Sequence, residues 1–282
     1  MSSCIDSGSF LSVVNDMSEL RPFPTSATRL IQASNDPDSG PRDLAAIIRN
    51  DPALSVNLLQ TANSSMYGFS GQIRTVDHAV VVLGIRTVRN LAVAMAATAV
   101  FSEGGAAADA REQLWGHSLG CATVSRMIAG RTGLVPEDEA FLAGIVHDVG
   151  KLIFYDLVPD QYRQIAASST SRTILEHEHD EFGANHQEIG LRCAEQWGLP
   201  EEVIEAISFH HTPDQADLFP DLVSIVGLSN GLSAVWGIGA ESPGEDLDLI
   251  LSESPVAISE DELTELRGQA TEEFHELAQS MT

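Results

Sequence analysis

The residues best suited to chemistry form a histidine–aspartate pair within the apolar run at residues 141–151. His147 and Asp148 interrupt this run, and Lys151, the only lysine in the sequence, follows one helical turn later. At 3.6 residues per turn, Lys151 would lie near both residues, so the three side chains can share one rim of a helix. Burial of an imidazole and a carboxylate costs free energy unless a partner compensates, and a metal ion would use both. The alternative interpretation is a helix end, at which both side chains face solvent and Gly150 terminates the turn.

Five of the nine histidines lie at positions suited to metal coordination, namely His117, His147, His186, His210 and His211. Each alone is weak evidence; His117, for example, lies on an apolar stripe, where a hydrogen-bonded core histidine is the commoner case. Adjacent histidines on a helix point about 100° apart, so if His210 and His211 bind no metal, one would be buried and the other exposed to solvent. Their order along the chain is more informative, because helices bring such residues together at the centre of a bundle. Imidazole and carboxylate ligands suit Fe, Mn or Zn rather than Ca.

The other four histidines occupy polar or isolated surroundings, and we expect them on the surface: His78, His177, His179 and His275.

The composition limits the compartment and the partners. A formal net charge of −26 and a pI near 4.4 disfavour nucleic acid and anionic membranes as partners. Cys4, Cys121 and Cys193 are widely spaced and form no CxxC motif, which fits a reducing compartment. The N-terminus resembles no signal peptide. The longest aliphatic run, residues 91–101, is well short of the ~20 residues that span a bilayer. We therefore expect a cytoplasmic protein.

Helix signals recur along the whole chain and predict an all-α fold. Asp51 and Pro52 have the residue types of an N-cap and a first helical position. The β-branched run at 75–83 could form a strand, but Thr75 can cap a helix and Gly84 can end it, so we predict a helix. Helices are also predicted at 10–20 and 86–101, the latter buried because it is apolar nearly all round, and 67–71 is predicted to be a loop. The segment 237–253 is acidic and loop-like, and a capping box at 259–262 predicts a last helix.

Several short motifs resemble the HDOD domain of the HD superfamily of metal-dependent phosphohydrolases. They are Asp51-Pro-Ala-Leu-Ser, Leu58-Leu-Gln-Thr-Ala-Asn-Ser64, Ala79 to Gly84, Trp115-Gly-His-Ser118, Ala143 to Lys151, His186-Gln-Glu-Ile-Gly190, Trp197-Gly-Leu-Pro200 and His210-His211. The resemblance covers roughly residues 15–235. It implies an all-helical bundle found in bacterial signalling and regulatory proteins, often without demonstrated catalysis.

This resemblance suggests a division into four parts. Residues 1–14 would be a tail, 15–101 an N-terminal helical subdomain, 106–235 the HD-like helical bundle, and 236–282 an acidic linker with a C-terminal helix. The apolar helix at 86–101 would pack the subdomain onto the bundle, because it has too much apolar surface to be left in water.

The resemblance also implies two metal positions. His117, His147 and Asp148 would hold the first metal. Asp148 would bridge to a second metal, held by the three later histidines, His186, His210 and His211.

Three features depart from the related patterns. Asn230 stands where the superfamily has its closing aspartate, and its amide oxygen can ligate a metal but brings no charge. Gln113 stands where HD-GYP relatives have a glutamate, and residues 212–217 replace the Gly-Tyr-Pro block. Hydrolysis of cyclic di-GMP is therefore disfavoured, and we expect fewer than two metals per chain.

The sequence is compatible with two functions. The first is a signalling or adaptor module that binds signalling proteins or a phosphorylated small ligand through a degenerate site, without turnover. The second is a metal-dependent phosphohydrolase acting on a nucleotide or phosphodiester, in which Asp148 and Lys151 would be catalytic. Asn230 and Gln113 favour the first, whereas the intact histidine set and Lys151 favour the second.

Overall fold

The computed structural model describes residues 23–36, 38–63, 72–102, 107–170, 173–240 and 246–280. In these ranges the chain forms helices and short connections without a strand, so the predicted all-α class is confirmed. No helix among them is long and apolar enough to cross a membrane. The helix predicted at 10–20 and the loop predicted at 67–71 lie outside the described residues.

The helices follow one another in the order α1 (Thr25–Asn35), α2 (Pro41–Arg49), α3 (Pro52–Ala62), α4 (Val76–Leu83), α5 (Ile85–Ser102), α6 (Ala108–Thr132), α7 (Glu137–Val146), α8 (Val149–Leu157), α9 (Pro159–Ser168), α10 (Ile174–Phe182), α11 (His186–Trp197), α12 (Glu201–Phe209), α13 (Pro220–Trp236), α14 (Leu247–Glu253) and α15 (Glu260–Ser280). A short 3-10 turn, Pro213–Gln215, joins α12 to α13.

Side-chain caps explain why the early helices begin where they do. The Asp51 carboxylate accepts a hydrogen bond from the Leu54 backbone N–H at 3.0 Å. The Thr75 hydroxyl accepts one from the His78 backbone N–H at 3.1 Å. Gly84 ends α4 with a φ of 84°, a conformation that glycine adopts at little cost. The valine-rich stretch is therefore a helix as predicted, because its ends are capped.

The helices before residue 103 share a hydrophobic core with the later ones. Leu91 on α5 and Phe141 on α7 are buried in the same cluster. Between these two helices, the Asn90 side-chain amide donates to Asp138 at 2.8 Å. Phe23 stacks on Trp197 of α11, with ring centroids 4.7 Å apart. The predicted burial of α5 is thus confirmed, while the boundary between the two predicted parts stays a prediction.

The last helix, α15, packs against both halves of the interior. Its Leu277 joins the core that contains α1 to α5. Its Leu263 and Leu266 join a second core, built largely by α6 and α13. Arg126 on α6 donates from Nε to Glu273 on α15 at 2.9 Å, which fixes the helix in place.

The segment predicted as an acidic loop contains helix α14. The Asp246 carboxylate caps this helix by accepting from the backbone N–H groups of Asp248 and Leu249 at 3.0 and 3.3 Å. Ile250 packs closely over Gly231 of α13. The loop prediction was wrong because one cap and a few apolar contacts suffice for a helix of two turns.

Candidate metal centre

The histidine–aspartate pair lies in the tight junction between α7 and α8. The sequence suggested one continuous helical run, but α7 ends at Val146 and α8 begins at Val149. Lys151 nevertheless stands beside the aspartate, with Nζ 2.7 Å from Asp148 Oδ2. His147 and Asp148 are completely buried, so the alternative interpretation of an exposed helix end was wrong.

Three other helices bring the remaining histidines to this junction. His117 lies in the middle of α6, and His186 is the first residue of α11. His210 and His211 directly follow α12, and their ring centroids lie 4.3 Å apart. His210 is buried and His211 is partly exposed, but both rings face the cluster, because the helix has ended and the connecting turn directs them there.

Two glycines allow these segments to approach closely. A Cβ atom on Gly150 would lie 1.9 Å from the His186 carbonyl oxygen, so α8 can meet α11 only without a side chain there. A Cβ atom on Gly227 would lie 2.5 Å from the His210 carbonyl oxygen. The small residues thus place His186 and His210 beside Asp148.

Asp148 Oδ2 faces the first predicted metal position. His147 Nε2 lies 3.3 Å from this oxygen and His117 Nε2 lies 3.6 Å from it. His117 Nε2 is also 2.9 Å from the amide oxygen of Asn230. One potential ligand atom from each of His117, His147 and Asp148 lies within 4.8 Å of the others. The structure therefore brings the first predicted set together, with Asn230 at its edge.

Asp148 Oδ1 faces the second predicted position. His186 Nε2 and His210 Nε2 lie 3.4 and 3.6 Å from this oxygen, and 3.4 Å from each other. His211 completes the group, in which one potential ligand atom from each residue lies within 4.8 Å of the rest. The two groups share only Asp148, as expected for a bridging carboxylate.

The donor set fits a divalent transition metal. Within the described part of the chain, His147 Nε2, Asp148 Oδ1 and His211 Nε2 are buried without a hydrogen-bond partner. His147 Nδ1 lies 2.8 Å from the Gly144 carbonyl oxygen, and His210 Nδ1 lies 3.1 Å from the Ile207 carbonyl oxygen. Because a carbonyl only accepts, Nδ1 of both rings carries a proton, and Nε2 of each ring is left to face the cluster. Metal-binding histidines commonly have this arrangement.

Burial and charge set the protonation states of the cluster. Burial lowers the pKa of His117 to about 4 and that of His210 to about 3, so both are neutral near pH 7. The pKa of His211 is lowered well below its ordinary value for the same reason. Burial opposes ionisation of Asp148, but His147 and Lys151 outweigh it and hold its pKa well below the usual range. His147 is the exception: burial lowers its pKa, but Asp148 outweighs burial and raises the pKa well above the ordinary value, so this ring must lose a proton before it can bind metal.

Glu178 is a site residue that the sequence analysis missed. It is completely buried on α10, and its Oε2 accepts from the backbone N–H of His186 and lies 2.7 Å from His186 Nδ1. Its Oε1 accepts from the Tyr162 hydroxyl at 2.6 Å. A signal was present, because Ile174, Glu178 and Phe182 are spaced by four and place the carboxylate on the apolar stripe of an otherwise polar helix.

A cleft of about 440 Å³ opens beside the cluster. Asp148, His211 and Asn230 form part of its lining, and Gln113 and Lys151 also line it. The Lys151 side chain is 18% exposed. The four histidines predicted to be on the surface, His78, His177, His179 and His275, are exposed and take no part in the cluster.

The fold and the cluster together define a protein of the HD type. Residues 20–213 match the family model described as the HDOD domain. The chain belongs to the HDOD domain family, as its motifs predicted.

Two curated relatives are longer than this chain. An uncharacterized protein of Treponema pallidum is 28% identical over 244 residues, which cover 84% of this chain and 46% of the relative. Ribonuclease Y of Thermus thermophilus is 30% identical over 146 residues, which cover 51% of this chain and 20% of that enzyme. The matched part of this chain thus spans less than half the length of either relative.

Solved structures share the fold over nearly the whole chain. A protein of Shewanella amazonensis, provisionally named a phosphohydrolase, is 25% identical with a TM-score of 0.72, covering 98% of this chain and 99% of that one. A protein of Marinobacter aquaeolei, provisionally named a signal transduction protein, is 22% identical with a TM-score of 0.71, covering 95% of this chain and 60% of that one.

Proposed function

We propose that the chain is a regulatory module of signal transduction whose cluster holds one divalent transition metal. Iron, manganese or zinc would be bound by Asp148 and the three later histidines, His186, His210 and His211. The module acts by binding signalling proteins or a small phosphorylated ligand rather than by turnover, and nucleic acid and membranes are not expected as partners.

The observation that supports this proposal is the unequal use of the two Asp148 oxygens. Oδ1 faces the second position and has no hydrogen-bond partner among the described residues. Oδ2 faces the first position, and the Lys151 ammonium group already contacts it at 2.7 Å. The remaining oxygen near His117 belongs to the uncharged amide of Asn230. The first position thus has one carboxylate oxygen, shared with a lysine, and should retain metal poorly.

The comparisons support a module rather than a particular activity. The matched part of this chain covers 46% of the Treponema pallidum relative, so that protein contains a large segment beyond the match. A structure with the same fold bears a provisional signal-transduction name. Both observations are consistent with a domain that works together with other parts or partners.

Metal content and catalysis test the proposal together. Protein purified without added metal should contain fewer than two metal ions per chain by inductively coupled plasma mass spectrometry. The variant His210→Ala should lose most of this metal, whereas His78→Ala, a substitution of an exposed histidine, should retain it. The wild-type protein should hydrolyse neither cyclic dinucleotides nor nucleotides nor generic phosphodiesters when supplied with Mn²⁺, Fe²⁺ or Zn²⁺. Unchanged metal content in His210→Ala would contradict the assignment.

The second candidate function is metal-dependent phosphohydrolysis. Lys151 lines the cleft and stands beside Asp148, where it would contact a phosphate oxygen, and one relative is a ribonuclease. A divalent metal, when bound, supplies stabilisation of the charge that develops on phosphate and lowers the pKa of bound water. Robust metal-dependent turnover that is abolished by Asp148→Ala would establish this function and overturn the regulatory proposal.

A further inference from the structure

We infer that Glu178, held by Tyr162, is the positioning residue of the metal site, because it fixes His186 in the tautomer that presents Nε2 to Asp148 and His210. This inference rests on the proposed function for the identity of the ligand, but the arrangement of side chains can be tested without metal. Glu178 contacts Nδ1 of the His186 ring, on the side opposite Nε2, so it would act on a bound metal ion only through that ring.

The hydrogen bonds of Glu178 determine the orientation of His186. Oε2 lies 2.7 Å from both the backbone nitrogen and Nδ1 of His186. Both oxygens of the carboxylate already accept hydrogen bonds, one from the Tyr162 hydroxyl and one from the His186 backbone N–H, so Nδ1 also donates to Glu178 and carries a proton. In the neutral ring the lone pair is then on Nε2, which lies 3.4 Å from Asp148 Oδ1 and 3.4 Å from His210 Nε2. The Tyr162 hydroxyl occupies the other oxygen of Glu178 and prevents the carboxylate from rotating away.

His186 differs from the other histidines in the nature of its partner. Nδ1 of His147 and of His210 faces neutral backbone carbonyl groups. Nδ1 of His186 faces a buried carboxylate instead. A negative acceptor strengthens the electron-donating character of the opposite nitrogen more than a neutral carbonyl does. Glu178 should therefore make His186 a stronger imidazole donor than His210 in the second position.

The test uses the full chain and measures metal affinity and tautomer separately. Glu178→Gln preserves size but removes the charge, and it should weaken metal binding ten- to a hundredfold in competition with a chelator. Tyr162→Phe should weaken it less, because the contacts with His186 remain. Glu181→Gln, an exposed change of the same charge on the same helix, is the control and should bind metal like the wild type.

Nuclear magnetic resonance of the metal-free chain tests the positioning directly. The wild-type His186 should show the Nδ1–H tautomer, and Glu178→Leu should convert it to a mixture, while His147 and His210 stay unchanged. If Glu178→Leu does not fold, Glu178→Gln and Tyr162→Phe decide the question. Metal affinity of Glu178→Gln within twofold of the wild type, or an Nε2–H tautomer of wild-type His186, would overturn the inference. A wild-type chain that binds no metal but shows the Nδ1–H tautomer would refute the proposed function and leave the positioning role intact.

Discussion

The substitution Asn230→Asp tests whether an uncharged amide weakens the first metal position. Asn230 Oδ1 lies 2.9 Å from His117 Nε2, and Asp148 Oδ2 lies 3.6 Å from the same nitrogen. The two oxygens are therefore at most 6.5 Å apart, the sum of these distances. Two carboxylates at that separation repel each other by about 2.5 kcal/mol at an effective dielectric constant of about 20. Without metal, the variant should lose stability of about this size, because a separation below 6.5 Å increases the repulsion and protonation of His117 offsets part of it.

Metal should reverse the sign of this effect. The attraction between a dication and a carboxylate 4 Å away is about 8 kcal/mol at the same dielectric constant. Dehydration of the charges consumes most of this energy. We expect the remainder to exceed ~1.4 kcal/mol, which tightens the first position at least tenfold. The variant should therefore contain more metal per chain than the wild type.

Thermal unfolding in the presence of a chelator and in excess Mn²⁺ measures both effects, the loss of stability without metal and the gain of stability with metal. At roughly 2–4 °C per kcal/mol, the variant should melt about 5–10 °C lower than the wild type in chelator. In Mn²⁺ it should gain more stability than the wild type gains. Asn50→Asp, at the exposed end of α2, is the control for the added charge. A melting temperature that shifts equally in both conditions, with unchanged metal content, would refute the reasoning.

Three further predictions concern the packing and the pH dependence. Gly150→Ala should lower the free energy of unfolding by about 1–3 kcal/mol and weaken metal binding, because its Cβ would lie 1.9 Å from a carbonyl oxygen of α11. The control is Gly268→Ala, where a Cβ meets nothing within 4 Å. This variant should leave the metal affinity nearly unchanged and the melting temperature unchanged or slightly higher. The metal-free chain should lose stability in denaturant titrations as the pH falls from 7 to 4, because the folded-state pKa values of His117 and His210 are about 4 and about 3 and the unfolded chain binds protons first. This loss amounts to roughly 3 kcal/mol for each histidine, and constant stability over that range would contradict it. A fragment that begins near Ala106 should aggregate, because it lacks the helices that cover the later half; a soluble fragment with a sharp melting transition would argue against that packing.

Features that depend on local sequence could be predicted. Thr75 and Gly84 allowed a helix to be predicted despite the valine-rich pattern, because an N-cap and a terminating glycine act on residues only a few positions away. The ligand set could be predicted only with the help of the resemblance, which linked His117 to residues a hundred positions away. Helical periodicity alone gives no distance between two helices.

Features that depend on how a helix ends could not be predicted. His210 and His211 were placed on a helix, but α12 stops at Phe209 and the turn brings both rings together. Glu178 was hidden because it lies in a charged stretch, and its role depends on the fold placing α10 behind His186. Helix α14 was missed because its apolar residues, Ile250 among them, pack against another helix, α13, which local sequence does not reveal.

The position of α15 has a consequence for the order of folding. Arg126 and Glu273 lie 147 positions apart, and Leu277 completes a core that the first helices begin. Contacts between such remote residues must overcome the entropy of a large loop, so they form late and slow the reaction. Every candidate ligand lies between residues 117 and 230 and is synthesised well before residue 277. We expect the candidate ligands to come together while α15 is still undocked, so the last helix would close both cores around a cluster that has already formed.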